Sequence, residues 1–113
     1  MGLIIRLIIS TLAIFATARL LPGVTVDSFT TAIVVAVVMG LLNLLLKPLL
    51  VLLTIPITIF TLGLFLLVIN AIIVMICSGL VDGFKVDGIL IALIFSLVVS
   101  LITTIMEGLA KKD

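Results

Sequence analysis

Charged residues are so sparse in this chain that they divide it into long apolar stretches. Residues 28–46 and 88–106 carry no charge over 19 residues each, and residues 48–81 carry none over 34. About 20 helical residues cross a hydrocarbon core about 30 Å thick, so stretches of this length predict transmembrane helices. Hydrophobic residues make up 65% of the 113-residue chain and charged residues 10%, against about 25% charged residues in soluble domains. We therefore predict an integral membrane protein whose direct partner is the lipid bilayer.

Four transmembrane helices fit between the charges. Pro22 and Gly23 end the first, and Pro48 disfavours helical geometry at the residue before it. Residues 16–18 read Ala-Thr-Ala, like a signal-peptide cleavage site, but apolar residues precede Arg6, so we expect this span to be retained. The predicted fold class is an all-α membrane protein built as two tandem helical hairpins in one domain, residues 1–113. The predicted spans cover about residues 3–21, 29–47, 63–81 and 88–106.

Residues 48–62 are predicted to be irregular, because the uncharged stretch is too long for one span and too short for two spans and a loop. Pro48 and Pro56 interrupt helical hydrogen bonding there. We expect a re-entrant or interfacial segment between the second and third spans, with a kinked long helix or a fifth shallow crossing as the alternatives. Three hydroxyls can satisfy the backbone groups that the prolines leave free: those of Thr54, Thr58 and Thr61.

The sequence also matches itself at an offset of 60 residues. The motif Gly-x-x-Val-Asp at residues 23–27 recurs at residues 83–87. This coincidence predicts an internal duplication, with two hairpins of the same orientation joined by residues 48–62. Both motifs lie in helix connections and alternate apolar with polar residues, so we expect them to pair as short extended segments outside the membrane.

Small residues recur at every fourth position on the second and fourth spans. Such stripes let membrane helices approach closely, because lipid provides no hydrophobic drive for their association. They predict either packing of these two spans against each other within one chain or a face for self-association into a homo-oligomer. The stripe residues are Ala32, Ala36 and Gly40 on the second span and Ala92, Ser96, Ser100 and Thr104 on the fourth.

The chemical groups available argue against an enzyme. The chain has no histidine, and its one cysteine, Cys77, lies within the third predicted span. No nucleophile and base can be paired, and the carboxylates are expected at or beyond the membrane interface. We predict no catalytic residue, cofactor, metal site, nucleic-acid partner or identifiable small-molecule ligand. Asn43 and Asn70 are expected to hydrogen-bond between helices, with permeation or ligand binding as the alternative role.

The charged residues lie near the ends of the predicted spans. Glu107 is expected to form an ion pair with Lys47 or, four residues along its own helix, with Lys111. On the other face, Arg19 is expected to meet one of three acidic residues: Asp27, Asp82 or Asp87. Basic residues in short loops mark the cytoplasmic side, so both termini are predicted to be cytoplasmic. The basic residues on that side are Arg6, Lys47, Lys111 and Lys112.

The string NLLLKPLLVLLTIPITIFTLGLFLLVINAIIV, residues 43–74, resembles a known family when it is taken with the Pro-Gly-Val before it and VDGFKVDG after it. The chain is similar over essentially its whole length to the small four-span bacterial proteins of the phage holin family, superfamily IV, of the YvlD type. The resemblance rests on the ordered residues Pro48, Thr54, Pro56, Thr61, Gly63 and Asn70.

This resemblance implies a protein that accumulates in the bacterial cytoplasmic membrane, oligomerises and permeabilises it. It implies no catalytic or ligand-binding residue. The spans lack a continuous polar stripe that would line a wide aqueous lumen. A small transporter, channel or lipid-handling protein is the first alternative, and a structural or envelope-stress component of the membrane is the second.

Overall fold

The computed structural model describes residues 2–110, and most of them are helical. The expectation of an all-α fold is wrong in one respect, because each of the two helix connections contains a three-residue strand. In chain order the elements are α1 Leu3–Leu20, β1 Val24–Val26, α2 Phe29–Leu45, α3 Lys47–Leu53, α4 Ile55–Phe60, α5 Phe65–Leu80, β2 Phe84–Val86 and α6 Ile89–Ala110.

Two helices within residues 2–110 are long and apolar enough to cross a membrane by themselves. These are α1 with 18 residues and α6 with 22. Helices α2 and α3 pass the same test only as a pair, which is bent by 40° at Leu46. Helix α5 is apolar but has 16 residues, which is shorter than a typical span. By length and composition, the described part of the chain therefore contains two candidate spans, or three with the bent pair.

The four long helices pack in a ring. Helices α1 and α5 each contact both α2 and α6. The arrangement places α2 and α6 on one diagonal, and each packs mainly against α1 and α5. Direct packing of the second span against the fourth, one of the two interpretations of the small-residue stripes, is therefore not the main contact of either helix. The reason is geometric: short connections make α1 and α2, and likewise α5 and α6, antiparallel neighbours, and the two hairpins then meet side by side.

Strands β1 and β2 form an antiparallel ribbon across the top of this ring, which confirms the expected pairing of the two connections. Thr25 lies opposite Lys85, its own counterpart at the 60-residue offset. Beyond the strands, the backbone N–H of Asp27 donates to the carbonyl of Gly83 at 3.0 Å. The equivalent bond, from the N–H of Asp87 to the carbonyl of Gly23, is 2.9 Å long. The ribbon is therefore symmetric about its centre.

The recurring glycines are required at the ends of this ribbon. Gly23 and Gly83 have φ angles of 94° and 88°, in the region that only glycine adopts without strain. A Cβ on Gly83 would lie 2.8 Å from Oδ2 of Asp27, and a Cβ on Gly23 would lie 3.3 Å from the side chain of Ile91. The glycine of each motif thus faces residues of the other half of the chain, which is a physical reason for the motif to occur twice.

The buried core repeats at the same offset and lies in the half of the bundle next to the ribbon. Of the 19 buried residues, every one except Val81 has a buried counterpart 60 positions away. Phe84 and Phe95 are 1% and 0% exposed, with ring centroids 5.6 Å apart. Thr17 and Cys77 occupy equivalent buried positions. We call the half of the bundle near β1 and β2 the ribbon end, and the opposite half, which contains Asn43, Asn70 and Thr104, the open end.

Candidate functional site

The helices separate at the open end and leave two adjoining spaces between them. One, of about 280 Å³, is lined by α1, α2 and α6. The other, of about 140 Å³, is lined by α2, α5 and α6, with Lys47 of α3 at its margin. We call the two together the polar crevice, because they share four lining residues: Met39, Asn43, Val99 and Ser100.

The two spaces are related by the same 60-residue offset as the ribbon and the core. Five residues of the first space, two on α1 and three on α2, have counterparts 60 positions later that line the second space on α5 and α6. Ser10 and Ile14 correspond to Asn70 and Val74, and Ala36, Met39 and Gly40 correspond to Ser96, Val99 and Ser100. The crevice thus surrounds the centre of the four-helix ring, and it does not lie on the outer wall that faces lipid.

Side chains with polar groups line much of the crevice. Asn43 is exposed within it and Asn70 is half-buried. Neither amide forms a side-chain hydrogen bond to another group in residues 2–110, so the interhelical bonds expected of them are not made. The helices diverge where these amides lie, which explains the difference. The other polar lining residues are Ser10, Lys47, Ser96, Ser100, Thr103 and Thr104.

An amide without a partner is costly in an apolar environment, by about 2–7 kcal/mol when nothing replaces water. Each space is far larger than the roughly 10–15 Å³ of accessible volume that one water molecule needs. Polar lining and sufficient volume together make the crevice a place for water or for a polar solute inside a bundle whose outer surface is apolar.

The two stripes of small residues are divided between the core and the crevice. Ala32, Ala36, Ala92 and Ser96 are buried at the ribbon end, and the Ser96 hydroxyl donates to the carbonyl of Leu93 at 2.9 Å. Ala36 and Ser96 also line the crevice, together with the exposed stripe residues Gly40, Ser100 and Thr104. The buried stripe residues pack within one chain, whereas the exposed ones leave room between the helices.

The proline segment contains the two short helices α3 and α4. Pro48 and Pro56 lie in the first turns of these helices, where the N–H that proline lacks has no helical partner in any case. Pro22 lies in the turn after α1. After α4 the chain reverses through Leu62 and Gly63, which have φ angles of 58° and 88°. The prolines thus separate helices in this segment and also start new ones.

Two of the three threonine hydroxyls in this segment bond to the backbone. Thr54 donates to the carbonyl of Leu50 at 2.7 Å, and Thr61 donates to that of Ile57 at 2.9 Å. Thr61 also accepts a bond from the first backbone N–H of α5 at 3.2 Å. The Thr58 hydroxyl lies 3.5 Å from that of Thr54. Because α3 and α4 contain no buried residue, their apolar side chains are free to contact lipid.

The charged groups pair differently from expectation at the open end. Glu107 lies 3.8 Å from the guanidinium of Arg6, measured from Oε2 to Nε, and this is the one salt bridge within residues 2–110. The predicted pair of Lys47 and Glu107 is wrong, because Lys47 begins α3 after the bend at Leu46 and lies at the crevice. The alternative partner, Lys111, lies outside the described residues.

At the ribbon end, the predicted pairing of Arg19 with an aspartate is also wrong. The guanidinium carbon lies 4.9 Å from the ring centroid of Phe15, one turn back on the same helix, a cation–π geometry. Asp27 instead packs over Gly83. Arg19 lies in the last turn of α1, and its side chain contacts Phe15 of the same helix and not an aspartate of the ribbon end. Among the residues that the structure describes, no cluster of three metal-binding side chains occurs.

Comparison with known proteins establishes the family. The chain matches the family model described as "Mycobacterial 4 TMS phage holin, superfamily IV" over residues 1–105. It belongs to this family. It is 33% identical over 114 residues to the "Uncharacterized membrane protein YvlD" of Bacillus subtilis (strain 168), covering 96% of each chain. It is 42% identical over 85 residues to the "Uncharacterized protein SCO3922" of Streptomyces coelicolor, covering 72% of this chain and 68% of that protein.

No solved structure matches the chain. The family assignment confirms the resemblance drawn from residues 43–74, and with the apolar helices it identifies a bacterial membrane protein.

Proposed function

We propose that this chain is a non-enzymatic protein of the cytoplasmic membrane that self-associates and, like a holin, lets water and small polar solutes through the bilayer. The observation that carries the proposal is the polar crevice, which lies inside a bundle of apolar helices. In this proposal α1, α2 with α3, α5 and α6 each cross the membrane. The open end faces the cytoplasm, because Arg6 and Lys47 lie there and two further lysines follow α6 in the sequence.

Residues 2–110 of one chain form a crevice and no continuous channel. At the ribbon end the centre of the bundle is filled by buried side chains, among them Val35, Phe84 and Phe95. A path across the membrane therefore requires that the helices of several chains rearrange so that their crevices join. This is the physical reason to couple permeation with self-association, and it predicts that flux rises more steeply than in proportion to protein density.

The experiment is release of fluorophores of graded size from liposomes that contain the purified protein at increasing density. The test variant is Gly40→Leu, and the control is Gly79→Leu. Both glycines are helical, and a Cβ added to either would have nothing within 4 Å, but only Gly40 lines the crevice. We expect Gly40→Leu to reduce release and Gly79→Leu to leave it unchanged. Equal release from both variants and the original chain would contradict a role for the crevice.

Three further outcomes separate the remaining interpretations. Release in simple proportion to density would refute the requirement for assembly. Saturable flux of one solute, abolished by Asn70→Ala, would support a selective transporter, a second candidate that the polar lining of the smaller space favours. No release at any density from folded, inserted protein would favour a structural component of the membrane.

A further inference from the structure

We propose that the smaller space of the polar crevice binds a phosphate group through Lys47, whether the group belongs to an anionic lipid or is free in solution. Lys47 lines this space together with Asn43, Asn70 and Ser100. The inference is independent of permeation, because it concerns what the crevice binds and requires no passage of solute.

The first step is the charge of Lys47. It has no salt bridge within residues 2–110, where Glu107, the one acidic residue at the open end, lies 3.8 Å from Arg6. The three aspartates in that range, Asp27, Asp82 and Asp87, belong to the ribbon end. Lys47 is thus a partly buried cation beside an apolar bundle, and no acidic side chain within residues 2–110 balances it. An anion is the ligand that compensates such a charge.

The second step is the set of hydrogen-bond donors. Two amides and one hydroxyl, from three different helices, line the same space as Lys47 and have no side-chain partner in the described part of the chain. They are Asn43 on α2, Asn70 on α5 and Ser100 on α6. A phosphate offers several acceptor oxygens pointing in different directions, so one group can accept from donors on several helices while lysine supplies the charge.

The third step is the position of the space relative to lipid. Helix α3 begins at Lys47 and packs against α5, and it has no buried residue of its own. Leu49, Leu52 and Leu53 are each more than half exposed on it. Acyl chains can therefore lie along α3 while a headgroup phosphate reaches Lys47. Basic pockets between transmembrane helices on the cytoplasmic side are a known type of anionic headgroup site.

The test uses the full-length protein in detergent and measures bound phosphatidylglycerol by native mass spectrometry during a lipid titration. The test variant is Lys47→Gln, and the matched control is Lys85→Gln, which removes the lysine of β2 at the ribbon end. We expect Lys47→Gln to weaken binding about fivefold, the loss associated with one lysine at a membrane surface. Lys85→Gln should bind as the original chain does. Circular dichroism verifies that both variants keep their helices.

A second variant and a competition arm complete the design. Asn43→Ala removes an exposed donor without changing the charge, and we expect it also to weaken binding. Inorganic phosphate is then added in excess, with chloride at matched ionic strength as the control. Displacement by phosphate alone shows that the site also accepts the free anion, whereas retention of lipid shows that it recognises the headgroup in its membrane context. The proposal is refuted if Lys47→Gln binds lipid normally or if both lysine variants lose binding equally.

Discussion

Replacing Gly83 by alanine should destabilise the fold more than any other glycine-to-alanine change near the ribbon. The backbone φ of 88° costs alanine about 1–2 kcal/mol. The new Cβ would also lie 2.8 Å from Oδ2 of Asp27 and 3.1 Å from its Cγ, and crowding of this kind costs about 1–3 kcal/mol. Together these effects predict a loss of about 2–5 kcal/mol in the free energy of unfolding.

The assay is unfolding by sodium dodecyl sulfate in mixed micelles, followed by circular dichroism. The matched control is Gly79→Ala, four residues earlier. Gly79 lies within α5, and an added Cβ there would meet nothing within 4 Å. Alanine is a better helix former than glycine by up to about 1 kcal/mol, so this control should be neutral or stabilising.

A double-mutant cycle with Asp27→Ala separates the two causes. Removing the carboxylate takes away the two closest contacts, at 2.8 and 3.1 Å, but leaves the contact with the Cβ of residue 27 at 3.3 Å and the strained φ. The double variant should therefore recover part of the loss and not all of it. If Gly83→Ala unfolds at the same detergent concentration as Gly79→Ala, the ribbon geometry deduced here is wrong. If Asp27→Ala gives no recovery, backbone strain alone accounts for the effect.

Three further predictions use the same unfolding assay. Phe84→Ala should cost about 3–5 kcal/mol because the ring is 1% exposed, whereas Phe60→Ala, at an 89% exposed ring, should change stability little. Arg6→Gln should cost less than about 1 kcal/mol, because its pairing with Glu107 is long and exposed; a larger loss would show that the pair is shielded. Thr61→Val should cost about 1 kcal/mol because the first N–H of α5 loses its acceptor, and unchanged stability would show that this bond contributes nothing.

The two halves of the chain that are related by the 60-residue offset carry different charges at the crevice. Lys47 and Glu107 are counterparts at the 60-residue offset but carry opposite charges. Arg6 is available to Glu107, whereas its own counterpart is the apolar Leu66. Within residues 2–110, one side of the open end therefore has an ion pair, and the other has a lysine without an acidic partner. The repeated backbone thus presents two chemically different sites.

Several features were accessible from the sequence because they depend on local or strongly periodic signals. The sparsity of charge predicted the apolar helices, and the prolines and threonines predicted an interrupted segment after residue 47. The repeated Gly-x-x-Val-Asp motif predicted pairing of the two connections, because both alternate apolar with polar residues, whereas the antiparallel register came only from the structure. The long helices begin and end within three residues of the predicted spans, except that α6 continues to Ala110.

The partners of individual side chains were not accessible in the same way. Asn43 and Asn70 were expected to bond between helices, and Lys47 was expected to pair with Glu107. Both expectations assumed that the bundle stays closely packed along its whole length. In the structure the helices are packed at the ribbon end and separated at the open end. Side chains at the same level along the bundle therefore do not contact each other at the open end.

The sequence by itself therefore determined three features. The chain is a membrane protein, its helical segments can be located, and its two short connections pair with each other. Hydropathy, helix interruption and a repeated motif are properties of neighbouring residues, so they are readable without a fold. Only the tertiary structure decided that α2 and α6 lie on a diagonal, that a polar crevice opens between them, and that Arg6 takes the carboxylate of Glu107. These features depend on the simultaneous packing of four helices, and the spacing of residues within one helix does not contain that information.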